Sequence, residues 1–134
     1  MKVVLDASVV VASERAAEPH HARARAAVDR VLRADDEIVV PALFVPEVVS
    51  ALARRGHDAA AAERLAHALT AGPAELVTLG PRRAFGVARF AARSGLRAAD
   101  ACYAWLAWRR GIDLVTLDEE LVRRAPPGTV ARLP

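Results

Sequence analysis

A single cysteine, Cys102, stands in 134 residues, so no disulfide can form within the chain and a scaffold stapled for an oxidising compartment is excluded. Long apolar runs are missing too. Although 54% of the residues are hydrophobic, no uninterrupted stretch approaches the roughly 20 residues that a bilayer crossing demands. Asp6 interrupts the opening segment where a secretory signal would continue its apolar core, and a cytoplasmic protein with no membrane association is the expectation. Lysine is almost absent, Lys2 being the only one, and His20, His21, His57 and His67 show no metal-ligand spacing. There is no glycine-rich phosphate loop, internal repeat, linker or low-complexity tail, so residues 1–134 read as one domain. The net charge of +3 rests on arginine, which suits bidentate phosphate contacts but is also ordinary surface chemistry in so Ala- and Arg-rich a chain.

What is present alternates between strand and helix patterns. Residues 3–5 read as a buried first strand ending at Asp6, followed by a short helix over 8–16 and a longer one from 19 to 33. A second strand over 38–40 stops at Pro41. Phe44, Glu47, Val48, Ala51 and Leu52 then fall on one helical stripe, which ends in the basic turn before Gly56. Asp58 caps a helix to about residue 71, a strand covers 76–79, and helices follow over 82–93 and 98–110. The last of these is apolar nearly all round and reads as central and buried. A strand at 114–116, a short helix at 118–124 and an edge strand within 129–133 complete the chain. This order predicts an α/β sandwich around a mainly parallel sheet of four to five strands.

Against that pattern, three charges are conspicuously alone. Asp6 is the only charged residue in 3–12, Glu47 the only one in 38–53, and Asp100 the only one in 98–108. Each sits in a segment otherwise built for the core, where an unpaired carboxylate costs several kcal/mol or is driven toward its neutral form. A shared divalent cation would serve all three. Asp6 ends the first strand and Asp118 lies just past the fourth, and ligand sites in open parallel sheets gather beyond the carboxyl ends of strands. Oxygen donors without a histidine or thiolate cluster point to Mg²⁺ or Mn²⁺ rather than zinc. Capping is the competing reading: Asp6 or Ser8 for the first helix, Asp100 for the central one beside Arg97, and Asp118 for the last, with Thr116 and Glu119 at capping-box spacing. Glu47 has no such alternative, and for Asp118 alone the cap is the stronger reading.

Val4-Leu5-Asp6-Ala7-Ser8-Val9-Val10, Pro46-Glu47-Val48, Leu96-Arg97-Ala98-Ala99-Asp100-Ala101 and Leu114-Val115-Thr116-Leu117-Asp118, taken in order, resemble the PIN-domain nucleases, above all the VapC-type toxins of bacterial toxin–antitoxin modules. The resemblance covers essentially the whole chain. It implies a three-layer α/β fold with an acidic pocket at one end of the sheet, and Mg²⁺- or Mn²⁺-dependent endoribonuclease activity. It also implies a homodimer held inactive by a cognate antitoxin. Carried onto this sequence, the four acids are Asp6, Glu47, Asp100 and Asp118, with Ser8 and Thr116 as supporting hydroxyls; Asp118 owes its place to the resemblance.

The residues suggest a division of labour. Asp6 and Asp100 are the foremost ligands of an ion, Glu47 and Asp118 bind through water or a second ion, and Ser8 and Thr116 orient carboxylates or waters. Arg97, one turn before Asp100, is the preferred phosphate contact, while Arg93, Arg109 and Arg110 read as solvated surface. Tyr103, Trp105 and Trp108 read as core or dimer packing. An aspartyl nucleophile at Asp6 is disfavoured because Ser8 stands where a second acid belongs, and a receiver domain because no late lysine exists. The remaining alternative is a catalytically silent PIN scaffold that only binds RNA or protein.

Overall fold

The apolar run Val3-Val4-Leu5 lies within β1 (Lys2–Leu5), and all three side chains are buried, as a strand covered on both faces requires. The computed structural model describes residues 1–134. After β1 come α1 (Ala7–Ser13), α2 (His21–Leu32), β2 (Glu37–Pro41), α3 (Phe44–Arg54), α4 (Ala59–Thr70) and β3 (Glu75–Val77). The second half holds α5 (Pro81–Ser94), α6 (Ala98–Arg110), β4 (Asp113–Val115), α7 (Glu119–Arg124) and β5 (Ala131–Arg132). The strands form one five-stranded sheet in the order β3-β2-β1-β4-β5, with every neighbouring pair parallel.

This order fixes the layers. The path β1 to β2 to β3 moves toward one edge, so right-handed crossovers put α1 to α4 on one face; β3 to β4 reverses direction and puts α5 and α6 on the other. The packing agrees: α1 lies on α2 and α3, α3 on α4, α5 on α6, and α6 reaches β1, β2 and β4. The reversal falls between β1 and β4, the topological switch point where the carboxyl ends of two adjacent strands open a crevice.

Helix α3 buries the stripe Phe44, Val48 and Leu52, and α6 buries Ala101, Cys102, Tyr103, Ala104, Leu106 and Ala107, so it is indeed the central helix. Gly111 stops α6 with φ +63, a left-handed turn that a residue with a Cβ enters only at a cost.

Four boundaries differ from expectation by two residues or more, each for a local reason. Helix α1 stops at Ser13, not at residue 16, where the buried Ser13 hydroxyl turns back onto the Val10 carbonyl (2.7 Å). Helix α2 begins at His21 instead of residue 19, with His20 in a non-helical conformation. Strand β3 covers 75–77 rather than 76–79: its ladder ends at Pro41↔Val77, after which the neighbouring chain turns into α3 and Thr78 has nothing to pair with. At the other edge β4 offers β5 only Leu114 and Val115, so the expected strand at 129–133 shrinks to two residues.

Candidate active site at the carboxyl ends of β1 and β4

The crevice between β1 and β4 is built around Asp6. Its backbone N–H continues the sheet by donating to Val115 O (3.0 Å), which fixes the residue as β1 ends. Its carboxylate is buried. Ser8 Oγ (2.6 Å) and Thr116 Oγ1 (2.7 Å) both donate to Oδ2. Asp6 occupies the position before α1, but its carboxylate is held by the two hydroxyls, and the Ser8 N–H adds only a weaker contact short of a full helix cap. The two hydroxyls are themselves held: Leu117 N–H donates to Ser8 Oγ (3.1 Å) and Asp118 N–H to Thr116 Oγ1 (3.0 Å). Thr116 therefore couples the ends of the two central strands instead of forming a capping box with Glu119.

The other acids arrive from three helix starts. Glu47 lies in the first turn of α3, half-buried, and Tyr103 Oη donates to its Oε1 (3.0 Å). Asp100 lies in the first turn of α6, half-buried, with Arg97 Nε at 3.6 Å from Oδ2. Asp118 caps α7, its Oδ1 accepting from Glu120 N–H (2.8 Å) and Leu121 N–H (3.3 Å), so the capping reading holds here.

The charges of these groups act on one another. Burial, above all, raises the Asp6 pKa; the Ser8 and Thr116 hydroxyls oppose it, as does a weaker pull from the Ser8 N–H, and the Asp118 charge adds to it. Glu47 is raised by burial, opposed by Tyr103 and reinforced by Asp6 and Asp100. Asp100 is raised by burial, then by Asp118 and Asp6, with Arg97 pulling the other way. Burial and then Glu47 push the Tyr103 hydroxyl far up, so it stays protonated and donates.

Three of the four acids are tethered on one side and free on the other. Asp6 Oδ2, Glu47 Oε1 and Asp118 Oδ1 are engaged, whereas Glu47 Oε2 and Asp118 Oδ2 make no hydrogen bond and Asp6 Oδ1 has no side-chain partner. Asp100 has only its long contact to Arg97, whose own side chain is 84% exposed. Free oxygen donors, mutual repulsion and one exposed counter-charge fit a hard divalent cation in chemistry. In spacing the acids stand apart: no group of three or more acidic, histidine or cysteine side chains is drawn together closely enough to hold an ion.

The crevice thus gathers Asp6, Ser8, Glu47, Asp100, Thr116 and Asp118, with Arg97 at its rim. Tyr103 is the member that sequence reasoning assigned to packing. Its signal was available: a phenol in a core helix needs a partner for its hydroxyl, and Tyr103 lies three residues from Asp100 on the same helix face. Arg93, Arg109 and Arg110 lie elsewhere, along a groove between α5 and α6.

An all-parallel five-stranded sheet between helical layers, with acids at the switch point, is consistent with the PIN fold. A family model for the PIN domain matches residues 3–126, and the chain belongs to that family, whose members are generally nucleases. Among solved structures it is similar to PAE2754 from Pyrobaculum aerophilum at 27% identity and a TM-score of 0.69, over 98% of this chain and 83% of that one. It also shares its fold with VapBC2 from Rickettsia felis, solved bound to a DNA fragment from their promoter, at 13% identity and a TM-score of 0.68, over 99% of this chain and 98% of that one. No curated protein matches. No helix is long and apolar enough to cross a membrane.

Proposed function

We propose that the chain, a single PIN-like domain over 1–134, is a Mg²⁺- or Mn²⁺-dependent endoribonuclease, and the toxin of a VapBC-type toxin–antitoxin pair. The observation that carries this reading is the tethered-and-free pattern of the acids, with three of the four anchored through one oxygen and open on the other. Asp6, Glu47, Asp100 and Asp118 would hold the cation, directly or through water. Such an ion lowers the pKa of a bound water and neutralises phosphate oxygens. The chain's own residues do the rest. Ser8 and Thr116 keep Asp6 from rotating, Tyr103 does the same for Glu47, and one carboxylate oxygen takes a proton from the attacking water as that water's oxygen bonds to phosphorus and the P–O bond to the leaving oxygen breaks, the leaving oxygen taking its proton from solvent. Arg97 exchanges its loose contact with Asp100 for a phosphate oxygen of the RNA.

A cognate antitoxin, a homodimer and a cytoplasmic setting belong to the same reading. The decisive experiment measures RNA cleavage by the purified protein with Mg²⁺, with chelator, and in an Asp100→Asn variant. Cleavage that persists in chelator or survives the substitution refutes the mechanism. One observation favours a silent scaffold instead, namely that the acids stand too far apart to grip an ion as oriented; RNA binding with no cleavage under any metal would establish it. Growth arrest on expression, relieved by a co-expressed partner, tests the toxin assignment.

A further inference from the structure

A groove of about 1060 Å³ lies away from the acids, between α5, α6 and the end of α7, and none of the four acids lines it. Seven of its seventeen lining residues are arginine, four from α5, two from α6 and Arg124 from α7, and none is acidic. Arg124 and Arg110 are paired with Glu120 and Glu75, and Arg83 donates to the Thr78 carbonyl. Arg82, Arg89, Arg93 and Arg109 have no acidic partner and are exposed. Three aromatic rings stand among these cations. Trp108 is 45% exposed and lies 6.0 Å from Phe90, and the Arg109 guanidinium sits 6.0 Å over the Trp105 ring. Gly86 makes room for Trp105 against α5, since a Cβ there would come within 3.3 Å of the indole nitrogen. That indole N–H has no partner in the protein and keeps solvent access.

We propose that this groove binds single-stranded RNA, the arginines taking successive phosphates and the rings stacking unpaired bases, as an accessory site that feeds the acidic crevice. The inference rests on the ribonuclease reading for the identity of the strand, and two features of the groove carry it. Cations alone would suit any polyanion, but an exposed Trp108 and the partly exposed Trp105 and Phe90 interleaved with them suit unpaired bases. Helix α6 also joins the two places. Asp100 opens it and Trp108 lies eight residues on, about 12 Å along the axis and hence roughly three or four stacked nucleotides away. A second copy of the chain is a poor occupant, because two arginine-rich faces repel. An acidic peptide would satisfy the charges and leave the rings unused.

The protein carries its own probe, since Trp105 and Trp108 are its only tryptophans and both line the groove. The full chain is titrated, in chelator to prevent cleavage, with an oligouridylate of about ten nucleotides, within the usual site size for single strands. Quenching of tryptophan fluorescence is expected. In Arg89→Ala/Arg93→Ala the affinity should fall at least tenfold, and the slope of log affinity against log salt should lose about 1.4, or roughly 0.7 for each phosphate contact removed. Trp108→Ala should weaken binding by about tenfold with the slope unchanged. Thermal melts verify that each variant is folded, and Trp108→Phe, which keeps a ring, should recover part of the affinity. The proposal is overturned if RNA leaves the fluorescence unchanged, if the arginine variant binds as tightly as wild type, or if polyglutamate of equal charge binds as well as RNA. Self-association that the arginine variant abolishes would also overturn it. Groove binding without Mg²⁺-dependent cleavage would instead sink the nuclease reading and leave the groove standing.

Discussion

Replacing Asp6 by Asn should make the metal-free protein more stable while removing its response to metal. Asp6 is 6% exposed, and burial raises its pKa above the ordinary 3.8. A carboxyl whose folded pKa lies above its unfolded value binds protons more tightly in the fold, so stability falls as pH rises through the interval between the two values. At pH 7 the ionised group therefore works against folding. Asparagine has nearly the same shape, its carbonyl oxygen can accept from both Ser8 and Thr116, and the repulsion from Asp118 disappears. A gain on the order of 1–2 kcal/mol is expected, the size usual when a functional site's destabilising group is removed. For a chain of this length that is roughly 3–10 °C in melting temperature. Thermal denaturation at pH 7 in chelator measures it, and the gain should shrink as pH approaches 3.8. In excess Mg²⁺ the wild type should rise toward the variant or beyond it, because a ligand that binds only the fold stabilises it, while the variant stays put. If Asp6→Asn melts at or below wild type in chelator, the hydroxyl bonds outweigh the burial of charge and the argument is wrong.

Asp118 can be divided into its two roles. Asp118→Ala should cost about 1 kcal/mol through the lost cap of α7, whereas Asp118→Asn keeps a capping acceptor and near-native stability yet should cleave RNA poorly; urea denaturation and a cleavage assay read the two effects separately. Tyr103→Phe leaves Glu47 without its hydroxyl partner and should destabilise by about 1 kcal/mol with a fall in cleavage rate, and an unchanged rate would restrict Tyr103 to packing. At the far edge of α2, Arg30 binds Asp36 (2.6 Å) and holds its pKa at about 2. A lowered folded pKa means stability that is present above the unfolded value and lost as pH falls from 3.8 toward 2. Arg30→Ala should flatten that part of the acid-unfolding profile, as stability measured against pH would reveal.

The layer architecture was legible because the polar breaks in the sequence mark the strands and helices cleanly, and lone charges in apolar segments pointed to Asp6, Glu47 and Asp100. All three do sit half-buried or buried at one end of the sheet. Asp118 was not distinguishable by that route, and the structure explains why: it really is a helix cap, and what brings it to the crevice is β4 lying beside β1. Strand ends were misplaced where pairing decides them. Whether Thr78 belongs to a strand depends on where its neighbour turns away, which is a property of another segment.

Lone charge works as a signal only for groups whose burial is costly. A carboxylate in a run of valines stands out because the fold must compensate it, but an arginine on an amphipathic helix is ordinary wherever it lies. Arg89, Arg93 and Arg109 therefore look like solvated surface one at a time, and Trp105 and Trp108 look like core. Only the packing of α5 on α6, close enough at Gly86 for an indole to lie against the backbone, places those cations and rings in one groove. The need of Tyr103 for a partner was legible, but the partner itself, 56 residues away in sequence, was not. Chemistry that relies on one costly residue can be read along the chain. Recognition that relies on many inexpensive ones becomes visible when helices from different parts of the chain are brought together.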